Sequence, residues 1–322
     1  MSSPPRIGAV IPAHNAASTL RPCLEAALAA GFAPGEIVVS DDGSTDGSAD
    51  IAAALGVPCV RSQAPRGAAA ARNAGAAAVP GDVLLFVDAD VCMLPDARDV
   101  VLACLAADPA IDAVFGTYDA DPGAPGHVSR FRNLLHRHVH LESAGEIASF
   151  WTGLGAVRRA AFDGAGGFDE GRRMMEDIAL GMALARRGGR IVLDPALQGK
   201  HLKRWTLGGM VRTDLRDRAI PWSRLLRDEG QSLPASLNVG WGGRVSVLSV
   251  AASLLSVALL PWPWLALGLI AGAAAALAAA NRRFIARQWR DEGAMAAALA
   301  LPLLWVHYLC GGLGYARVRL LG

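Results

Sequence analysis

Apolar and polar positions alternate in regular blocks through the first ninety residues. "RIGAVIPAHN" is a short β-type run closed by Pro and Asn. "AASTLRPCLEAALAAG" follows with helical spacing and a glycine stop. The pair recurs as "EIVVSDDGS" with "DGSADIAAALG", and again as "PCVRS" with "GAAAARNAGAAA". "DVLLFVDAD" then opens a fourth strand. Strands alternating with helices predict an α/β fold, a mostly parallel sheet with helices on both faces. Ligands of such sheets collect outside the carboxyl ends of the strands. "LLFV" reads as a strand buried on both faces, and Asp88 and Asp90 stand where it leaves the sheet.

The pattern changes after residue 240. No charged residue occurs from Val245 to Ala280. As one helix this run would be about 54 Å long, well beyond a hydrocarbon core of about 30 Å. "PWPW" (Pro261 to Trp264) interrupts it, and prolines break helices while tryptophans favour membrane interfaces. The run therefore predicts two short spans, about 245–260 and 264–280, joined by a tight turn. A third apolar segment, about 294–315, follows the basic connector "NRRFIARQWRDE". Arg317 and Arg319 come after it, so it either spans or lies in the membrane. Arg and Lys flank the first two spans, which predicts an inner (cytoplasmic) membrane protein with residues 1–240 in the cytoplasm. The expected organisation is a cytoplasmic domain over 1–205, an amphipathic membrane-interface segment over 206–240, and a membrane domain over 241–322.

Composition sharpens this picture only in places. Of 322 residues, 52% are apolar, which is high for a soluble chain and fits the C-terminal run. Charges nearly cancel, with 31 basic against 29 acidic residues, so no nucleic acid or other polyanion is an expected partner. The five cysteines are dispersed without metal-binding spacing, which suits reduced thiols. "MSSPPRIGAV" has no charged region followed by a long apolar core, so no cleaved leader is expected.

Three sheet-edge clusters carry candidate chemistry. Asp41 and Asp42 follow the second strand, Arg72 and Asn73 follow the "RG" loop, and Asp88 and Asp90 follow the fourth strand. Paired carboxylates alone also occur as helix caps or turns. A few hard oxygen ligands suit Mg²⁺ or Mn²⁺, which keep waters and share substrate phosphates. No Walker-type glycine-rich loop is present, so kinase-like and nucleotidyl-transfer chemistry has no support.

Six motifs in order, "VIPAHN", "VVSDDGSTDGS", "RGAAAARNAG", "LLFVDAD", "GGFDE" and "MMEDIALGMAL", resemble family 2 glycosyltransferases of the GT-A fold, a Rossmann-like sheet, over about residues 6–205. The resemblance implies inverting transfer of a sugar from a nucleoside diphosphate, with a UDP-sugar the expected donor and a GDP-sugar the alternative. It implies that Pro12, Ala13 and Asn15 line the nucleotide pocket, that Asp41 and Asp42 bind base and ribose, and that Arg72 sits near the nucleotide. Asp88 would face ribose and metal, and Asp90 would ligate the metal. Gly153 would allow close approach of the sugar, or simply serve a turn. The acidic pair of "MMEDIAL" implies a catalytic base, assigned to Asp177 with Glu176 second.

"KHLKRWT" places His201, Arg204 and Trp205 at the spacing of the QxxRW motif of processive members, with His replacing Gln. That departure argues against polymer synthesis. His201 is a candidate third metal ligand or a structural histidine. Downstream, Arg212, Arg216 and Arg218 join Arg204 and Trp205 as candidates for an acceptor or lipid phosphate. The expected function is a membrane-anchored glycosyltransferase acting on a membrane-borne acceptor such as polyprenyl phosphate, a lipid-linked saccharide or another lipid. A polysaccharide synthase is the enzymatic alternative, and an inactive membrane scaffold is the alternative of another class.

Overall fold

The structure is a computed structural model that describes residues 4–228 and 240–321. The chain divides into two compact units. One comprises Met1–Ala124 with Val139–Lys203, and the other Pro125–His138 with Arg204–Gly322.

The first unit is built on a nine-stranded sheet. Its strands are β1 (Ile7–Ala13), β2 (Ile37–Asp41), β3 (Cys59–Arg61), β4 (Val83–Val87), β5 (Val91–Met93), β6 (Ile111–Tyr118), β7 (Gly145–Glu146), β8 (Leu154–Arg158) and β9 (Arg190–His201). Helices α1 (Ala17–Ala29), α2 (Ser48–Ala54), α3 (Ala68–Ala78) and α4 (Ala97–Ala107) connect the early strands. Helix α5 (His127–Glu142) carries residues of both units, and α6 (Arg159–Ala165) and α7 (Glu176–Arg186) follow in the first.

The order across the sheet is β3-β2-β1-β4-β8-β6-β9-β5, with β7 on β9. Strands β1 to β4 pair in parallel, as the alternation of strand and helix predicts. Beyond β4 the sheet is mixed, because β8 runs antiparallel to both β4 and β6, and β5 runs antiparallel to β9. Every residue of β4, "VLLFV", is buried, as expected of a central strand covered on both faces. A three-residue step from β4 to β5 puts Asp88 and Asp90 at the carboxyl edge. The antiparallel register then sets Val91 opposite His201.

Backbone contact sets the position of α7. A Cβ on Gly181 would lie 2.4 Å from the Phe150 nitrogen, so α7 packs directly on the 149–150 backbone. That seat fixes where the first turn of α7 stands.

The second unit holds α8 (Leu207–Arg212), a wide π-type stretch Thr213–Ala219, α9 (Ile220–Asp228), α10 (Trp241–Leu255), α11 (Pro263–Ala280), α12 (Arg282–Glu292) and α13 (Ala294–Leu321). Its core joins Phe131, Leu134, Trp205, Met210, Phe284 and Leu304. Three helices are long and apolar enough to cross a membrane: Trp241–Leu259, Pro263–Ala280 and Ala294–Leu321. Residues 229–239 of the expected interface segment lie outside the described residues.

An alanine normally stabilises a helix interior over glycine by roughly 0.5–1 kcal/mol. Gly181→Ala is expected to do the opposite and cost about 1–3 kcal/mol, the range for overpacking. A lower Tm in detergent is the check, and a raised Tm would mean that α7 is not seated on this backbone.

Candidate active site

The carboxyl ends of β1, β2 and β4 face one edge, and short loops after them carry the polar residues. Pro12 and Ala13 end β1 in register with Ser40 and Asp41, and the Ala13 carbonyl accepts the Asp42 amide at 2.8 Å. Asn15 adopts a left-handed backbone, φ 50°. Its amide donates to Ser44 Oγ at 2.9 Å, and its Oδ1 accepts the Thr45 amide at 2.9 Å. Asn15 therefore ties the end of β1 to the loop after β2.

Asp41 and Asp42 are both buried, and both are engaged within the protein. Asp41 accepts the Ser44 amide at 2.8 Å and pairs with Arg61 at 3.1 Å. Asp42 accepts the amides of Arg66 at 2.7 Å and Gly67 at 2.8 Å. Those amides lead into α3, and a carboxylate there satisfies donors that the helix leaves open. Asp42 thus sets the entry angle of α3, which carries Arg72 and Asn73.

Arg72 is the centre of the edge. It is 5% exposed, and its fork spans two carboxylates: Nη2 to Asp88 Oδ1 at 2.8 Å and Nη1 to Glu176 Oε1 at 2.6 Å. Its guanidinium lies over Phe168, 5.7 Å from the ring centroid. Phe168 stacks edge-on against Phe86 of β4 at 5.0 Å. Asn73, next along α3, holds the Phe168 amide and carbonyl, each at 2.9 Å. The "GGFDE" motif is thus a clamp that packs beneath the Arg72 guanidinium. Burial alone would lower the Arg72 pKa, but the carboxylates of Asp88 and Glu176 raise it above its ordinary value. Removing one partner of such a buried pair typically costs about 3–5 kcal/mol, because the other charge is stranded.

Glu176 and Asp177 are neighbours with different environments. Glu176 is buried against Arg72. Asp177 has no ion pair among the described residues; its Oδ1 accepts the amide of Ile178 at 2.8 Å. Desolvation first, and the adjacent Glu176 charge second, push Asp177 up to about 7, with Arg72 only partly opposing. Just before the pair, Met175 has φ 65°, a left-handed conformation that costs a non-glycine residue energy. The helix dipole of α7 favours acidic residues in this first turn.

Asp90 and His201 form the other half of the site. His201 Nε2 lies 3.4 Å from Asp90 Oδ2, and the Leu202 amide donates to the Asp90 carbonyl at 2.8 Å. The imidazole stacks on Tyr118, 4.3 Å between centroids and 4° between planes. Burial would raise the Asp90 carboxyl, yet the His201 bond and the charges of His201 and Lys203 hold it below its usual value. This carboxylate and imidazole are donors that suit a divalent cation. Among the described residues no three His, Cys, Asp or Glu side chains form a ready metal cage. That sparse donor set matches a cation completed by waters and substrate phosphates. Asp88, expected beside Asp90 at the metal, has its Oδ1 bonded to Arg72.

Gly153 is required by packing. A Cβ there would fall 2.1 Å from the Trp151 ring, and the Gly153 carbonyl accepts the Asp88 amide at 3.2 Å. Trp151 in turn stands edge-on to Tyr118 at 5.0 Å.

The remaining sequence candidates belong to the second unit. Arg204, Arg212, Arg216 and Arg218 are exposed. Trp205 is buried, with Arg132 over its ring at 5.6 Å and its amide donating to Ser129 at 2.9 Å. Its ring packs the core of that unit. The pairing of Arg72 with two carboxylates and the Tyr118–His201 stack were not legible in the sequence. Their members lie far apart along the chain, and no spacing signals them.

Residues 9–165 match the family described as glycosyl transferase family 2. That stretch is just under half of the chain. The chain is 36% identical over 106 residues to YibD, an uncharacterized glycosyltransferase of Escherichia coli. The match covers 32% of this chain and spans only 31% of the relative's length. Among solved structures it is similar to the mannosyltransferase PcManGT of Pyrobaculum calidifontis, solved with GDP-Man and Mn²⁺. The TM-score is 0.61 at 19% identity, covering 99% of this chain and 89% of that one. Residues 1–349 of S. aureus TarS with UDP-GlcNAc give a TM-score of 0.51 at 15% identity, covering 98% and 91%. At such identities these two establish the GT-A fold alone.

The raised Asp177 value carries a stability consequence. A carboxyl whose pKa rises from 3.8 to about 7 on folding destabilises the folded state above the unfolded value. The penalty starts near pH 4, grows until about pH 7 and is constant above. Asp177→Asn removes it. The variant's Tm, relative to wild type, is expected to rise between pH 4 and pH 7 and then level off. A difference independent of pH would mean that Asp177 is an ordinary carboxylate.

Proposed function

We propose that the glycosyltransferase takes a sugar from a nucleoside diphosphate sugar and passes it, with inversion, to a membrane-borne acceptor. The observation that carries this reading is the contrast between Glu176, neutralised by Arg72, and Asp177, without an ion pair among the described residues and pushed up to about 7. A base near the working pH takes a proton well. In this reading Asp177 accepts the proton of the acceptor hydroxyl as it attacks. Glu176 and Arg72 hold the first turn of α7 in place, and Arg72 also fixes Asp88 at the donor edge.

Asp90 and His201 would hold Mg²⁺ or Mn²⁺, which when bound supplies Lewis-acid stabilisation to the leaving diphosphate. The loops of Pro12, Ala13, Asn15, Asp41 and Asp42 would receive the nucleoside. PcManGT was solved with GDP-Man and TarS with UDP-GlcNAc, which supports a nucleoside diphosphate sugar of either base as donor. The acceptor assignment rests on three long apolar helices in the same chain. A soluble acceptor would give the enzyme no reason to carry them. Exposed Arg212, Arg216 and Arg218 suit a lipid phosphate. The positive-inside bias supports a catalytic domain on the cytoplasmic face of the inner membrane.

The direct test incubates the full chain with membrane lipids and a panel of nucleotide sugars, then reads lipid masses. A hexose-sized increment on a lipid is expected, and transfer only to soluble sugars would overturn the acceptor class. Asp177→Asn is expected to lower turnover about 10²–10⁴-fold with donor affinity intact, the usual share of a general base. Wild-type kcat/KM should rise with pH through about 7. Glu176→Gln should move that rise to lower pH, since the neighbouring charge is one cause of the Asp177 shift. Loss of donor affinity in Asp177→Asn would make it a donor-site residue instead.

Chelation separates the metal from the base. EDTA is expected to stop transfer, and added Mn²⁺ or Mg²⁺ to restore it. Asp90→Asn should weaken cation binding more than His201→Ala, measured by calorimetry with a nucleoside diphosphate present. Full-rate transfer in EDTA would remove the metal from the reading.

A further inference from the structure

Helices α10 and α11 form an antiparallel hairpin. The start of one meets the end of the other: a Cβ on Gly242 would lie 3.7 Å from the Ala280 carbonyl, and Asn281 Nδ2 donates to Ser246 Oγ at 2.9 Å. The two ends of this hairpin differ in chemistry. Arg244, Arg282 and Arg283 stand at the base, while the tip exposes Leu260, Trp262 and Trp264 without charge. Nineteen residues, Trp241–Leu259, reach about 28 Å as a helix, close to a hydrocarbon core.

Helix α13 passes the same length and composition test and packs on α10, where Trp305 Nε1 donates to Ser253 Oγ at 2.9 Å, yet it has a second neighbour of another kind. It runs beside the helical stretch 207–228, and the two keep step. Leu304 shares a core with Met210, His307 Nδ1 meets Asp214 Oδ2 at 2.8 Å, and a Cβ on Gly314 would lie 2.4 Å from that of Ala219. Helix α9 continues the contact. That companion stretch carries eight charged residues between Arg212 and Asp228. It cannot cross a bilayer. His307 stands at the middle of α13, and next to it Asp214, 3% exposed, pairs with Arg132, 4% exposed, at 2.8 Å. Burial would raise the Asp214 carboxyl, but the His307 bond and the Arg132 charge hold it below its usual value, so the Arg132–Asp214 pair is ionic. An upright α13 would bring this cluster to the bilayer centre, where each charge costs about 2.5–3.5 kcal/mol or more.

We infer that α13 lies along the membrane surface, with the stretch 207–228 on one side and the headgroup–acyl boundary on the other. This rests on the proposed membrane insertion of the α10–α11 hairpin. The chain then crosses twice, and its C-terminus returns to the side of the catalytic unit. Exposed Met295, Leu313 and Tyr315 meet lipid, and tyrosine favours that depth. Arg317 and Arg319 stay on the side of Arg244, Arg282 and Arg283, which satisfies the positive-inside bias for the whole chain.

The test uses the full-length chain in intact spheroplasts and a membrane-impermeant maleimide, read by peptide mass spectrometry before and after permeabilisation. Native Cys59, exposed in the first unit, reports the side of the catalytic unit. Trp262→Cys reports the hairpin tip and Leu320→Cys the end of α13. Cys59 and Leu320→Cys are expected to behave alike, with Trp262→Cys opposite. Leu320→Cys behaving like Trp262→Cys would overturn the surface position of α13 and leave the hairpin intact. All three behaving alike would overturn the crossing hairpin itself, and with it the membrane reading on which the inference rests.

Discussion

One guanidinium organises the active edge. Arg72 is held by a helix whose entry is set by Asp42, and it reaches two carboxylates from different parts of the chain. Its planar fork suits that task, whereas a single ammonium would serve one carboxylate at a time. The pairing makes the two members of the acidic motif unlike each other. Glu176 gains the Arg72 cation as a partner, while Asp177 keeps the burden of burial and of a like charge next door. Identical chemistry in adjacent positions is thereby split into a structural anion and a group that titrates near neutrality.

Support for that edge comes from packing without tolerance. Gly153 yields to the Trp151 ring, and Gly181 yields to the 149–150 backbone. The Phe86–Phe168 contact carries the guanidinium from below. Interiors packed this closely transmit small displacements, so residues well away from any substrate set the distance between Arg72, Asp88 and Glu176. The Asp90–His201 pair adjoins this set through Trp151, which stands edge-on to Tyr118. It is fixed by the β5–β9 register and by the Tyr118 stack.

The second unit follows a different logic. Its core is apolar, yet an Arg132–Asp214 ion pair with His307 bonded to it sits within it. Buried ion pairs contribute little net stability, but they are intolerant of misregister. Here the cluster ties α13 to a charged companion and so argues for its orientation in the membrane. Hydropathy alone treats α10, α11 and α13 as equals. A charged companion stretch packs on α13, which also lies against α10.

Much of this was written in the order of residues. Alternation of strand and helix determined the parallel half of the sheet, since each βα unit is local and its periodicity is visible. The edge positions of Asp41, Asp42, Arg72, Asp88 and Asp90 followed, because strand ends lead to loops. The apolar run determined the hairpin and its tip at "PWPW". The tertiary structure alone decided the antiparallel half, where β8 inserts beside β4 and β6. It also decided that Trp205 is a core residue, that Gly153 serves a tryptophan, and that Asp42 holds a helix entry. Above all it decided which carboxylate meets Arg72. That pairing joins residues 104 positions apart, and the difference between Glu176 and Asp177 arises only from burial and distance. Neither quantity exists in a linear chain until the sheet brings the partners together.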